Sequence, residues 1–334
     1  MKRVIFFAAV VFLRFIGVNA LAAEPGIDPA MGVYEGYWKA ADGTKGRFSA
    51  QIRTIAGGKH DGFVAFYKTK TLDAVLRLQP GDLNFEGKAV QKAGGMLAPE
   101  LSGSAQIDNK KLTGAFKGEL GEGSFEGTLS HLSSRRMGAK PPKTAKVLFD
   151  GKPTPDAWTD FHWKVTPEGT MIVQNGDIHA KDKFANYQLH VEFRTPYMPE
   201  AQGQARGNSG VYLQSKYEVQ VLDSFGLFPL QNNDCSAIYS LKAPEINACF
   251  PPGEWQTYDI TYIQGDPAKR KSPTITVVFN GIKVVDRFAI PASVLEKGTT
   301  SADDSPGFLK LQDHGNPVEY RNIWVDPFFA TQRK

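Results

Sequence analysis

Short runs in which polar and apolar residues alternate fill the chain from residue 147 to residue 328, and they argue against a helical fold. A period of two places one row of side chains on a core and the other row on the opposite face of a strand. The runs are separated by Gly, Pro and Asn, and Asn280-Gly281 is a strong signal for a two-residue hairpin. The pattern predicts an all-β domain, an antiparallel β-sandwich of the jelly-roll or lectin-like kind.

A looser repeat, in which an apolar residue stands two positions before a glycine, marks residues 24–132. Examples are Tyr34 before Gly36 and Phe125 before Gly127. Its spacing is close to that of an antiparallel meander, and it predicts a smaller β-barrel or β-roll of about five to seven strands. We expect an accessory role for this segment, with a sugar-binding face that uses Tyr37 and Trp38 as the alternative.

The polar, basic and proline-bearing stretch SSRRMGAKPPKT marks a domain boundary. We therefore predict a linker over residues 133–145 and a second, larger domain over residues 146–330.

The N-terminus has the features of a secretory signal peptide. Lys2 and Arg3 precede an apolar run over residues 4–18, and Ala20-Leu21-Ala22 offers small residues for cleavage. We expect residues 1–23 to be removed and the protein to be periplasmic or extracellular. The absence of a cysteine near this site argues against a lipoprotein, and no later run is long enough to span a membrane.

The charge and the motifs exclude several partners. The formal charge of +4 falls to +1 without the three basic residues of the signal peptide, which argues against nucleic acid as a partner. The sequence lacks a P-loop, a GxSxG elbow and an HExxH helix, so we expect no nucleotide cofactor. In an exported protein Cys235 and Cys249 can form a disulfide, and two unpaired buried thiols are the alternative.

Several predicted strands carry polar rows suited to a sugar. Glu218 and Gln220 fall on one face of YEVQVL, about 7 Å apart along the strand. Asp223 has the opposite parity and joins that face only if the strand bends or ends there. A solvated outer face would have the same alternation. Glu192 in YQLHVEFR could supply a second carboxyl beside Glu218, as a conventional β-glucan hydrolase would require.

Six blocks of the second domain resemble the 3-keto-disaccharide hydrolase domain family. In chain order they are LFDGKPTPDAW, RGNSGVYLQSKYEVQVLDS, SAIYSLKAPEINA, GEWQTYDITY, FNGIKVVD and LQDHGNPVEYRNIWV. The resemblance implies a concanavalin-like sandwich that acts on glycosides already oxidised to a ketone at sugar carbon 3. Such a ketone acidifies the proton on carbon 2, so a base can remove it and the anomeric substituent can leave. A divalent metal held by carboxylate and imidazole could polarise the ketone.

The resemblance also implies roles for individual residues. Glu218 would be the base or a metal ligand, and His314 would be its acid/base partner. Hydroxyls or the ketone would be bound by Arg206, Asn208, Gln220 and Gln312, and the groove would be lined by Glu192, Arg194, Tyr212 and Arg321. A non-catalytic lectin-like module, with Tyr212, Trp163 or Trp255 stacking on a glycan, remains the alternative to an enzyme.

Overall fold

A computed structural model describes residues 26–88, 101–152, 156–266, 271–295 and 306–327. The predicted signal peptide lies outside these ranges. The chain divides into two compact units; the first holds the residues up to Leu132 with residues 199–201 and 225–229, and the second holds the rest. Nearly all of the described secondary structure is β, as the alternation predicted. Within these ranges no helix has the length and apolar character needed to cross a bilayer.

The first unit contains a closed antiparallel barrel, in which β8 pairs with β1. Its eight described strands exceed the predicted five to seven, and they are β1 (Gly32–Ala40), β2 (Lys45–Ile55), β3 (Lys59–Tyr67), β4 (Ala74–Gly81), β5 (Asn84–Lys88), β6 (Leu101–Asp108), β7 (Lys111–Gly118) and β8 (Gly121–Ser130). Aromatic side chains fill the barrel, with Trp38 packed edge-on against Phe66 and Phe116. Trp38 is therefore a core residue, whereas Tyr37 points outward and is 66% exposed.

The second unit contains two sheets. The larger has the strand order β10-β11-β20-β13-β16-β17-β18, with β9 paired to β20. Its strands are β9 (Lys146–Phe149), β10 (Lys164–Val165), β11 (Met171–Ile172), β13 (Tyr187–Arg194), β16 (Gln256–Ile263), β17 (Thr274–Phe279), β18 (Ile282–Ala289) and β20 (Glu319–Asp326). Asn280 and Gly281 join β17 to β18 with φ of 50° and 80°, which confirms the predicted hairpin.

The smaller sheet has the order β12-β19-β14-β15. Its strands are β12 (Ile178–Phe184), β14 (Ser209–Leu213), β15 (Tyr217–Val221) and β19 (Gly307–Asp313), and a short helix α1 (Ala292–Leu295) precedes β19. The inner faces of the two sheets touch: Tyr217 stacks on Tyr262 at 6.2 Å, and Ser209 Oγ lies 2.7 Å from the Tyr320 hydroxyl. Alternation therefore turns Glu218 and its neighbours on the smaller sheet away from this core.

The segment predicted to be a linker is attached to the larger sheet. Ser134 Oγ lies 2.6 Å from Thr257 Oγ1, and Arg136 forms an ion pair with Asp259 at 2.9 Å. These bonds satisfy polar groups of β16 that alternation turns away from the core. The segment therefore lies against the outer face of the larger sheet, and its basic residue Arg136 binds there.

Candidate functional site

The outer face of the smaller sheet carries a grid of polar side chains. Strand register places Tyr212 between Glu218 on β15 and Lys310 on β19. It also places Gly210 between two glutamines, Gln220 and Gln312. The alternation that buries the opposite faces of these strands therefore brings one carboxylate, one phenol, one ammonium group and two amides together.

Gly210 makes room for the carboxylate of Glu218. A Cβ atom on Gly210 would lie 2.4 Å from Glu218 Oε1 and 3.0 Å from Tyr212 Cε2, closer than atoms can approach. The carboxylate thus folds over bare backbone at the centre of the grid. Only 9% of Glu218 is exposed, so the residue keeps a small contact with solvent while the carboxylate is largely desolvated.

Burial raises the pKa of Glu218 above its ordinary value. The hydrogen bond from Tyr212 and the charges of Lys310 and His314 oppose this effect, whereas the charge of Asp177 adds to it. A carboxyl group with a raised pKa is a stronger base once ionised than a carboxylate in water. The site therefore holds a carboxylate with the properties that proton abstraction requires.

Tyr212 links three of these groups. Its hydroxyl donates to Glu218 Oε2 at 2.8 Å and accepts from Gln312 Nε2 at 3.2 Å. Lys310 Nζ lies 3.8 Å from the centre of the Tyr212 ring, a cation–π contact. Burial and the adjacent Glu218 carboxylate raise the pKa of Tyr212, so its hydroxyl stays protonated and donates.

The cation of Lys310 is held in place from the other side. Its Nζ donates to Asp177 Oδ2 at 2.8 Å, and Asp177 Oδ1 accepts from the Asp313 backbone N–H at 2.8 Å. The Asp313 carboxylate accepts backbone N–H groups on both oxygens, the turn role that a strand-end aspartate often takes. His314 follows directly, is exposed, and is near enough for its charge to lower the pKa of Glu218.

Gln220 supports the carboxylate from the side opposite Tyr212. With its carboxamide oriented so that both polar atoms are satisfied, its nitrogen donates to Glu218 Oε1 at 2.8 Å and to the Ser209 carbonyl at 3.1 Å. Gln220 is 1% exposed, so it positions Glu218 and does not contact a ligand.

Tyr239 lies in the loop that pairs with the β15 edge. Its backbone N–H donates to the Glu218 carbonyl oxygen at 3.0 Å, and the residue is 38% exposed.

Two residues predicted to bind substrate lie beneath the surface. Arg206 is 2% exposed and donates to Asp223 Oδ2 at 2.6 Å, forming a buried ion pair. Asn208 is 1% exposed, and its amide nitrogen donates to the Gln204 carbonyl at 2.7 Å. The prediction that Arg206 and Asn208 bind hydroxyls is corrected: alternation identified polar residues, but their burial makes them part of the framework.

Three further predicted groove residues lie on the other sheet. Glu192 on β13 is 1% exposed and accepts from Arg321 Nε at 2.8 Å and from the Gly138 backbone N–H at 2.6 Å. Arg194 pairs with Glu319 at 2.8 Å. The residues Glu192, Arg194 and Arg321 therefore do not line a groove with Glu218, because the inter-sheet core separates the two outer faces.

Glu192 also cannot act as a second carboxyl group beside Glu218. Although burial raises its pKa, hydrogen bonds from neighbouring groups outweigh this and lower it to about 2; the donors are His190, Asn322, Arg321 and the Gly138 N–H. A general acid needs a proton near neutral pH, and Glu192 holds none. An ionised Glu192 could still serve as a nucleophile or base, but it lies on the outer face of the other sheet, and this position excludes the two-carboxyl mechanism considered for Glu192 and Glu218.

The predicted disulfide is wrong in this structure. Cys235 and Cys249 are both buried thiols, and no disulfide joins them. The Cys235 sulfur lies 3.2 Å from the Tyr258 hydroxyl. Burial raises the pKa of the Cys249 thiol well above its usual value, with a hydrogen bond to Cys235 acting in the same direction. The pair therefore belongs to the core between the sheets, the alternative left open by the sequence.

The donor set does not fit a resident metal ion. In the parts of the chain that the structure describes, no three His, Cys, Asp or Glu side chains come close enough to bind one ion. At the grid the ammonium of Lys310 is near enough for its charge to act on Glu218, and it would repel a cation. We therefore assign no chemical step to a metal.

Sequence reasoning missed Lys310, Asp177 and Tyr239. Lys310 stands two residues before Gln312 in β19, so alternation places both side chains on one face and could have identified Lys310. Asp177 precedes β12 and Tyr239 lies in an irregular loop, where alternation gives no information.

The comparisons with known proteins agree on the second unit. Residues 144–326 match the model of the 3-keto-alpha-glucoside-1,2-lyase-like domain. Two solved structures from Parabacteroides distasonis ATCC 8503, each described as a "putative glycosyl hydrolase", are similar. One is 36% identical and covers 55% of this chain and 84% of its own, with a TM-score of 0.49. The other is 20% identical and covers 55% and 93%, with a TM-score of 0.41.

No curated protein matches the chain. The family model spans more than half of the sequence and contains every strand of both sheets in the second unit. The chain belongs to the 3-keto-alpha-glucoside-1,2-lyase-like domain family.

Proposed function

We propose that the protein is an exported enzyme that cleaves 3-keto-glycosides. The observation that carries this proposal is Glu218, a nearly buried carboxylate with a raised pKa at the centre of an open polar face. The other carboxylate whose charge acts on Glu218 is Asp177, and it is held by Lys310 and by the Asp313 N–H. One strong base whose neighbouring carboxylate is engaged in this way suits elimination better than ordinary glycoside hydrolysis. The concanavalin-like arrangement of the two sheets supplies the face.

Glu218 removes the proton from carbon 2 of the sugar. The ketone at carbon 3 makes this proton acidic, and the electron pair of the C–H bond moves into an enolate. Tyr212 and Gln220 hold the two carboxylate oxygens, so the group is oriented before the substrate arrives. The proton ends on Glu218.

Lys310 and Gln312 stabilise the negative charge that develops on the ketone oxygen. Both side chains are partly exposed on the same face as Glu218, and the ion pair with Asp177 fixes the ammonium group. Donors that are oriented in advance stabilise a developing charge without reorganisation. The neighbouring exposed ring of Tyr239 offers a surface on which the sugar can pack.

His314 donates a proton to the leaving oxygen as the bond to carbon 1 breaks. The enolate electrons form the double bond between carbons 1 and 2, and the aglycone leaves as an alcohol. Water then adds, with its hydroxyl going to carbon 1 and a proton returning to carbon 2, so the net reaction is hydrolysis. Glu218 and His314 return to their starting protonation states.

The comparisons support a glycoside as the substrate. The matched family is described as 3-keto-alpha-glucoside-1,2-lyase-like. Both similar solved structures carry the description "putative glycosyl hydrolase". The predicted signal peptide supports a periplasmic or extracellular location. Expression of the full chain with fractionation would contradict export if the uncleaved protein stayed in the cytoplasm.

Turnover tests the proposal. The purified protein is incubated with a 3-keto-glycoside and, separately, with its unoxidised parent, and the released aglycone is measured. We expect release from the 3-keto compound alone. Glu218→Gln should lower kcat by about 10²–10⁴-fold, whereas Glu168→Gln, at an exposed glutamate of the same unit, should retain it. Equal turnover of the parent would refute the proposal.

A lectin-like module is the second candidate, and the exposed Tyr239 ring beside hydrogen-bonding groups favours it. Trp163, one of the aromatic residues considered for this role, is 2% exposed and stacks on Tyr320. Glycan binding without turnover in the wild-type protein would support this candidate over the enzyme.

A further inference from the structure

A second polar surface lies on the first unit, on the outside of the barrel. It is an open groove of about 1000 Å³, and we call it the barrel groove. Its walls come from β1, β2, β7, β8 and the turn after β3. Five of its lining residues are cationic, and all five are exposed: Lys39, Lys45, Arg47, Lys68 and Lys70.

The positive charge of the barrel groove is not balanced within its lining. Among the lining residues that the structure describes, Glu126 is the acidic member, and its carboxylate pairs with Lys111 at 2.8 Å. Two nearby acids, Asp42, whose charge acts on Lys68, and Glu35, whose charge acts on Arg47, lie outside the lining. The groove therefore presents a net positive surface on a chain whose total charge is only +4.

Two of the cations face each other directly. Lys39 on β1 is paired in register with Lys45 on β2, so both side chains leave the same face of the barrel. Like charges in this position repel and destabilise a strand pair. A bound anion between them would remove that repulsion, so the pair indicates an anionic ligand.

An exposed aromatic ring adjoins these cations. Tyr37 shares the outward row of β1 with Lys39, and the Arg47 guanidinium lies 6.0 Å from its ring centre. The Tyr37 ring, 66% exposed on the outside of the barrel, offers an apolar face for a flat ligand. A sugar ring packs on such a face, and Trp38, buried in the core, cannot serve.

We propose that the barrel groove binds an acidic polysaccharide, with Tyr37 stacking on a uronic acid ring and the cations pairing with its carboxylates. An aromatic platform flanked by cations matches a polymer that has both sugar faces and carboxylates. Nucleic acid could also pair with these cations, so its binding is one of the outcomes that the test below distinguishes. The first unit would then anchor the enzyme to its substrate source.

Binding of the full chain to oligogalacturonate tests this proposal, with a neutral dextran of matched length as the comparison. We expect binding to oligogalacturonate that weakens as NaCl rises, and none to dextran. Lys39→Gln/Lys45→Gln should weaken binding by about 2- to 30-fold, the sum of two surface ion pairs. Tyr37→Ala should weaken it as well.

The matched control is Lys59→Gln/Arg77→Gln, which removes two exposed cations of β3 and β4 outside the groove. It should bind oligogalacturonate as the wild-type chain does. Three results would overturn the proposal: equal binding of dextran, an equal loss in the control variant, or binding of double-stranded DNA or anionic vesicles without binding of oligogalacturonate. Turnover of 3-keto-glycosides is measured in parallel and should be unchanged by the groove variants, so failure of this proposal is distinguishable from failure of the catalytic one.

Discussion

The hydrogen bond from Tyr212 to Glu218 gives the sharpest prediction. Tyr212→Phe removes the hydroxyl that donates to Glu218 Oε2 at 2.8 Å and keeps the ring on which Lys310 lies. A hydrogen bond to a charged group contributes about 1.5–3 kcal/mol, and one pKa unit corresponds to about 1.4 kcal/mol. Because the bond favours the ionised form, its loss should raise the pKa of Glu218 further.

If Glu218 is the base, the rate follows its ionised fraction. The acid limb of the kcat/KM profile should therefore move to higher pH in Tyr212→Phe. Activity should fall by about 10- to 100-fold below the limb and change much less above it. The assay is kcat/KM for a 3-keto-glycoside between pH 4 and pH 9.

Tyr239→Phe is the matched control, because this phenol lies on the same face without a described bond to the Glu218 carboxylate. Its acid limb should stay in place. The reasoning is refuted if the limb of Tyr212→Phe is unmoved or moves to lower pH, whatever happens to the absolute rate.

Three further predictions follow from the same contacts. Gly210→Ala should lower kcat by about 10- to 100-fold with little change in Tm. The new Cβ would lie 2.4 Å from Glu218 Oε1, so the carboxylate must move. Steady-state kinetics measures kcat, and thermal unfolding measures Tm. Glu192→Gln should reduce the free energy of unfolding by about 3 kcal/mol at pH 7, because its pKa is lowered from 4.5 to about 2. That stability is present above pH 4.5 and is lost as the pH falls toward 2, so urea unfolding at pH 7 and pH 3 should show a smaller difference at pH 3. Cys235 and Cys249 should both react with a thiol reagent in denatured protein and resist it in native protein, because both are buried thiols outside any disulfide.

Each of these predictions can fail separately. Full activity in Gly210→Ala would show that the carboxylate position is not critical. A difference for Glu192→Gln that grows on acidification would contradict the direction of its pKa shift. Denatured protein without reactive thiols would show a disulfide.

Alternation predicted which side chains share a strand face but not which sheet the strand joins. Glu218 and Gln220 were correctly placed on one face. Glu192 has the same local pattern, yet β13 pairs with β16 and β20 in the larger sheet. Sheet membership depends on pairings between residues far apart in the chain, and a single strand's pattern carries no information on them.

Burial of polar side chains was the second limit on predicting the site from the sequence. Arg206 is charged and therefore looked available for a ligand, but inside the fold it forms an ion pair with Asp223. Burial of an ion pair depends on three-dimensional packing around both partners. The barrel shows the same limit, because Trp38 and Tyr37 are adjacent in sequence and only one of them reaches solvent.

Proton exchange at carbon 2 tests the central claim most directly. A 3-keto-glycoside is incubated with the wild-type protein in D₂O, and deuterium at carbon 2 of the released sugar is measured by mass spectrometry and NMR, with Glu218→Gln and no-enzyme samples as references. The proposed mechanism predicts deuterium at carbon 2 at a rate tied to aglycone release, with both lost together in Glu218→Gln. Release of the aglycone with hydrogen retained at carbon 2 would contradict it.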